Sequence, residues 1–375
     1  MIQIYRILLL VLFTCSLPGC SKGPSEPSGN SRLHVFYYGW YGNPQQDGQW
    51  QHWNHRVLPY GDIPLEGRLD FPGADDIGAN FYPELGSYSS HDPEIIEQHL
   101  EMMRKAGIGV VSVSWLGADD FAARSIDLFM DKAAEKGLQI NFHIEPNYRS
   151  AEEFHAIIAE LMQKFGTHPA LYRYQGKPLY YVYDSYKLPV SEWQKLLLPG
   201  GELSLRTPEL DGQFIGLWVN QGEEAFFLTT GFDGFYTYFA SEGFVWGSTS
   251  ANWPYLADWA SAHSKLFIPS VGPGYADDRI RPWNGANFKS REQGRYYDQM
   301  FSQALKTRPD IVTITSFNEW HEGTQIEPAA VKQLPDYRYL DYGDLPGDYY
   351  LKRTLDWSRK LSAIPLNPQP QEGSR

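Results

Sequence analysis

Cysteine is nearly absent. The 375 residues contain two, Cys15 and Cys20, both near the N-terminus. A leader cut just before Cys20 would take Cys15 with it. That excludes a disulfide and leaves no free thiol for catalysis or metal binding. Basic charge is scarce as well: 32 Lys and Arg stand against 45 Asp and Glu. No Lys/Arg run with interleaved aromatics occurs, which argues against nucleic acid as a partner, because that binding needs cations to displace counterions. The one long apolar run, ILLLVLFTCS, is too short for a stop-transfer helix. Also missing are HExxH, a GxSxG nucleophile elbow, a phosphate-cradling glycine loop with lysine, a GxGxxG behind the first strand, and any internal repeat.

What is present begins with an expected export signal over residues 1–19. Its end, LPGC (Leu17 to Cys20), resembles a bacterial lipobox, in which Cys20 is lipidated and becomes the mature N-terminus; an ordinary signal cut nearby is the alternative. Residues 20–31 then read as a lipidated cysteine with a Ser/Pro/Gly/Asn tether, 32–365 as one catalytic domain and 366–375 as a tail. The expectation is a domain held at a bacterial membrane by its lipid alone, monomeric, facing either the periplasm or the exterior.

From His34 onward, strand-like and helix-like runs alternate. The strand candidates are HVFYYGWY, GVVSVSWL, QINFHIEP, PLYYVYDS, FIGLWVN, FDGFYTYF, KLFIPSVGPGY and IVTITSFNEW. Asp92 with Pro93 predicts a helix start before Ile95, Ile96, Leu100 and Met103. Ser150 with Glu153, and Ser290 with Gln293, fit capping boxes. Weaker helices are expected over 121–136 and 253–263. Eight such units predict an α/β fold of the TIM-type (β/α)8 barrel class, with a doubly wound open sheet as the alternative. The connection over 42–90 is long enough to be a functional wall.

Polar and aromatic residues gather where the strand candidates end. Trp40 and Tyr41 close the first, Trp115 the second, His143 and Glu145 the third, and Tyr183 and Asp184 the fourth. Trp218 and Asn220, then Tyr236 and Tyr238, follow. The last ends in Asn318-Glu319-Trp320-His321-Glu322. In a barrel these ends converge on one mouth. Rings pack on the C–H faces of sugars, and carboxylates bind hydroxyls, so the set suits carbohydrate. Glu319 and Glu322, three apart, would lie on one side if the chain turns helically after the strand. Two converging carboxylates are what glycoside hydrolysis needs, one protonated as acid and the other ionised as base or nucleophile. His321 could shape the site, and Asn318 could bind a hydroxyl or orient a glutamate. Glu327, ahead of Pro328, reads as structural. His52 and His55 have a spacing open to metal, but lie in a loop rich in helix breakers with no third ligand nearby, which favours stacking or hydroxyl binding.

FYYGWYGNP, SVSWLG, HIEP, YVYDSY, DGFYTYFA and above all ITSFNEWHEGTQIEP resemble glycoside hydrolase family 99, the endo-α-1,2-mannosidases and mannanases, from about His34 to Tyr350. The resemblance implies a (β/α)8 barrel that cuts internal α-1,2-mannosidic bonds with retention and needs no metal or other cofactor. By position, Glu319 matches the base that deprotonates the sugar's own 2-hydroxyl, which attacks the anomeric carbon and gives a 1,2-anhydro sugar. Glu322 matches the acid that then activates water. Glu145 matches a substrate-contacting acid, and Tyr41, Trp115, Tyr236 and Tyr238 match subsite aromatics. Leu116 stands where bacterial members often have a second aromatic, beside the sugar on the non-reducing side of the cut, and leaves glucose and mannose both open there. The implied partner is an α-mannan or a high-mannose glycan. A glycan-binding surface lipoprotein without catalysis is one alternative. A glycosyltransferase-like barrel sharing the NEWxE pattern is another.

Overall fold

The computed structural model describes residues 29–63 and 67–366. The expected leader, Cys20, most of the tether and the tail beyond 366 lie outside the described residues. The strands are β1 (Asn30–Tyr37), β2 (Tyr82–Pro83), β3 (Ile108–Trp115), β4 (Gln139–Ile144), β5 (Arg173–Tyr174) and β6 (Lys177–Val182). They continue with β7 (Gln213–Leu217), β8 (Gly234–Tyr236), β9 (Leu266–Ile268), β10 (Ser270–Val271), β11 (Val312–Ile314) and β12 (Ala329–Ala330).

Nine of these segments run in the order β10-β11-β1-β3-β4-β6-β7-β8-β9, paired in parallel. Only Pro269 separates β9 from β10. β9 pairs with β8 and β10 with β11, so the two segments act as one interrupted strand that closes the ring. Proline cannot donate to a ladder, which is why the pairing breaks there. Its carbonyl still accepts from Thr313 N at 3.1 Å. The eight expected strands are thus all formed, the seventh in two pieces. β1 starts at Asn30, so Asn30 and Ser31 belong to the barrel rather than to a tether.

Parallel strands covered by helices are buried on both faces, and β3 is buried along its whole length. The helix after β2, Pro93–Lys105, starts as the sequence predicts: the Asp92 carboxylate accepts from Glu94 N, Pro93 occupies the first turn, and Ile95, Ile96, Leu100 and Met103 face the core. Ser150 caps the helix Ala151–Phe165 through Glu153 N. The Ser290 and Gln293 box is not formed. Ser290 Oγ accepts from Glu292 N, Gln293 and Gly294 adopt left-handed backbone, and the helix begins only at Arg295.

Arg32 locks the ends together. Its guanidinium donates to the carbonyls of Pro309, Asp310, Leu361 and Ile364 at 2.6–3.1 Å. The long connection after β1 folds over the C-terminal mouth. Its β2 pairs antiparallel with β12, directly behind the ITSFNEWHEGTQIEP stretch.

Candidate active site

β11 delivers the chain to the mouth at Thr315. Ser316 Oγ accepts from Glu319 N at 2.7 Å, Thr324 N donates to Glu319 O, and Gly323 N donates to Trp320 O. The result is a tight turn rather than the expected helical one. Gly323 has φ +61°, and a Cβ there would stand 2.8 Å from Ala276 O, so only glycine fits. Behind the turn, the Tyr41 hydroxyl donates to Asn318 O at 3.0 Å and accepts from Trp320 N at 3.1 Å. Asn318 bonds both backbone groups of Tyr38 at 2.8 Å. Deeper still, the buried Glu327 carboxylate accepts from Tyr88 Oη, His99 Nε2 and Trp320 Nε1 at 2.8–3.2 Å. Its structural reading is therefore right.

The turn places Glu319, His321 and Glu322 in one cleft of about 200 Å³. Glu145 and Tyr238 line it too, with Tyr38, Trp40 and Tyr183 from the barrel, His52 and His55 from the long loop, and Ile280 and Arg281 from the loop after β10. A larger hollow, about 450 Å³, sits at the opposite, N-terminal end of the strands and holds none of these carboxylates. In barrel enzymes the chemistry lies at the C-terminal mouth, so the smaller cleft is the site.

Burial raises the Glu319 carboxyl well above the usual carboxylate range, and the neighbouring Glu322 raises it further. Burial also raises Glu322, although Arg281 Nη1, 3.2 Å from its Oε1, opposes this. Asp277 holds the same guanidinium nitrogen at 3.0 Å. Two interacting carboxyls of this kind titrate as a pair rather than singly. Glu145 accepts from Ser114 Oγ at 2.8 Å and lies 3.4 Å from His143 Nδ1. His321 is held neutral, its pKa lowered by burial and then by His55 and His52. Its Nδ1 meets Gly78 O at 2.9 Å. A carbonyl only accepts, so the ring hydrogen sits on Nδ1 and Nε2 is left as a buried acceptor with no protein partner. A sugar hydroxyl can satisfy it. His52, stacked on Trp40 at 4.7 Å, is lowered to about 4 by burial.

The sequence profile described as glycosyl hydrolase family 99 matches residues 28–363. The chain belongs to glycosyl hydrolase family 99. It is accordingly a glycoside hydrolase. Similar proteins include glycoprotein endo-alpha-1,2-mannosidase of Mus musculus, 46% identical over 353 residues that span 90% of this chain and 76% of the relative. The protein of the same name from Xenopus laevis is 45% identical over 352 residues, 89% of this chain and 78% of the relative. Among solved structures, the GH99 endo-alpha-mannosidase from Bacteroides thetaiotaomicron superposes with a TM-score of 0.87 at 48% identity, over 90% of this chain and 99% of that one.

Within this family 99 barrel, Glu319, Glu322, Glu145, His321 and Tyr238 come together in the cleft. Five other candidates do not line it. Trp115 faces the helical layer: it contacts Phe142, which stacks on Phe165 of the helix Ala151–Phe165. Its neighbour Ser114 points inward to Glu145, so alternation along β3 sends Trp115 outward. Tyr41 and Asn318 brace the turn from behind, as described. Tyr236 lies below the cleft, its hydroxyl 2.7 Å from His143 Nε2. Asp184 bonds Tyr186 and Lys187 outside it. Three lining residues escaped the sequence reading: Tyr38, Ile280 and Arg281. Tyr38, hydrogen-bonded to Tyr238 at 2.5 Å, shares the inward parity of His34 and Phe36, which could have found it. Arg281 has no local signal, because its loop is irregular.

Proposed function

We propose that the enzyme is a retaining endo-α-1,2-mannosidase acting on mannans or on high-mannose glycans, glucosylated ones included. The observation that carries this is the convergence of Glu319 and Glu322, both with raised pKa, in a sugar-sized cleft lined by rings. The names of the relatives point to the linkage.

Glu319 takes the proton of the sugar 2-hydroxyl, and O2 attacks the anomeric carbon as the bond to the leaving oxygen breaks. Glu322 gives its proton to that oxygen. The 1,2-anhydro sugar then opens when Glu322 removes a proton from water and the new hydroxyl forms at the anomeric carbon. Glu319 returns its proton to O2. Two inversions give retention, and a base and an acid serving adjacent atoms need to be close neighbours. In the free site Arg281 favours charge on Glu322. The acid role needs Glu322 protonated, so the bound glycan has to outweigh that contact. The raised pKa of Glu319 makes it the stronger base once it is ionised.

Supporting export and lipid anchoring are LPGC at Cys20 and the tether behind it. Leu116, half-buried beyond β3, leaves glucose and mannose both open next to the cut. The test is cleavage of yeast α-mannan and of a glucosylated high-mannose glycan by the wild type and by Glu319→Gln and Glu322→Gln. The wild type should release an α-1,2-linked disaccharide, Man–Man or Glc–Man. Both variants should bind and not cut. Full activity in either removes that residue's role, and binding without any product from the wild type favours a glycan-binding protein.

A further inference from the structure

The cleft holds about 200 Å³, below the roughly 300–1,000 Å³ of a typical small-molecule site. A glycan cut internally must therefore run out over the rim. Two large rings stand there exposed. Tyr60 is 59% and Trp283 45% exposed, and their centroids are 5.0 Å apart with planes tilted by 50°. They come from the two loops that supply His55 and Arg281 to the cleft, and they are fixed to its wall. Trp283 Nε1 donates to Leu58 O at 2.9 Å, and Leu58 N donates to Ile280 O at 2.7 Å. Ile280 itself lines the cleft. Trp283 follows Arg281, the partner of Glu322, by two residues. Val57, Phe71 and Ile280, from the same two loops, form a separate small core.

Single exposed rings are common, but two in mutual contact make a patch. The hydrogen bond of Trp283 to Leu58 O sets this patch beside the carbohydrate cleft, within reach of the chain that occupies it. We propose that Tyr60 and Trp283 form a distal sugar subsite, which stacks a hexose of the same glycan beyond the sugars in the cleft and gives preference for long substrates. This rests on the reading of the cleft as an endo-acting mannosidase site.

The test compares Tyr60→Ala, Trp283→Phe and the Tyr60→Ala/Trp283→Ala pair on two substrates: yeast α-mannan and a short activated glycoside, a disaccharide with fluoride as leaving group. Expected is a rise in KM for mannan of about tenfold in the double variant, with turnover of the fluoride unchanged. Trp283→Phe keeps a ring and should lose less. Mannan and disaccharide binding by calorimetry, in a Glu322→Gln background, reads the subsite without catalysis. If the wild type cleaves neither substrate, the activity reading fails, and mannan affinity alone decides on the subsite. Unchanged mannan affinity in the double variant overturns the proposal. So does an equal loss on the short glycoside, which would place the rings inside the catalytic cleft. A self-association by sedimentation that Tyr60→Ala abolishes would assign the patch to a second copy of the chain and overturn it too.

Discussion

Replacing Arg281 by glutamine should move the pH optimum of this enzyme upward. The guanidinium lies 3.2 Å from Glu322 Oε1. With the effective dielectric of about 20 that suits groups partly open to water, their attraction is about 5 kcal/mol. That figure is an upper bound, since the arginine side chain is 26% and the glutamate 22% exposed, and Asp277 at 3.0 Å competes for the same nitrogen. A hydrogen bond to a charged group nets about 1.5–3 kcal/mol, which corresponds to about one to two pKa units. Loss of the cation disfavours ionisation, so both apparent pKa values of the carboxyl pair rise, and the bell-shaped profile of kcat/KM shifts to higher pH by about that amount. The fold should survive, because Asp277 keeps its bonds from Tyr275 Oη and Asn284 Nδ2 at 2.8 Å. The assay is kcat/KM against pH on one soluble glycoside, with a thermal melt as control for folding. A profile that keeps its position, or moves to lower pH, would refute the electrostatic account of Arg281.

Three further outcomes are expected. Glu319→Gln should stabilise the fold increasingly as pH rises. A carboxyl whose pKa is raised by folding contributes stability that is complete below its unfolded pKa and lost as pH rises through the folded one; a melting series from pH 4 to 9 that shows no widening gap from wild type would contradict this. Glu327→Ala leaves three buried donors, on Tyr88, His99 and Trp320, without their acceptor, and should cost about 3–6 kcal/mol in urea unfolding. A loss below about 1 kcal/mol would mean that the network reorganises at little cost. Trp115→Phe should lower stability by about 1–2 kcal/mol and change KM by less than about twofold, since the ring packs on Phe142 away from the cleft. A tenfold KM change would bring Trp115 back to the sugar.

The barrel was legible because each strand leaves a short apolar run, and because polar and aromatic residues cluster only where those runs end. The same feature exposed Glu319, Glu322 and Glu145. What failed was the assumption that every strand-end aromatic faces the mouth. Alternation decides that: Ser114 looks inward, so Trp115 cannot. Tyr41 lies beyond its strand, and only the path of the following loop turns it toward the back of Asn318. The Pro269 break is a tertiary event, since the run on either side still reads as one strand. Arg281, His52 and His55 reach the cleft from loops whose course depends on contacts far away in sequence, which periodicity does not encode. The Gln293 capping pattern was misleading for a related reason: the backbone there turns left-handed before the helix starts.

The clamp around the carboxylate turn has a consequence for how an active molecule is made. Gly78, Tyr88 and the β2 segment, all from the first quarter of the chain, hold His321, Glu327 and Ala329 near its end. Arg32 likewise waits for carbonyls at Pro309 and Ile364. During synthesis the early half can pair its strands, but the loop over 42–90 meets Asp278, Arg279, Ile280 and Trp283 only after about three quarters of the chain has emerged, and Glu327 and Ala329 later still. The carboxylate turn and the segments that frame it are thus together only once the C-terminal part of the chain is present, and a chain cut before Glu319 lacks the site altogether.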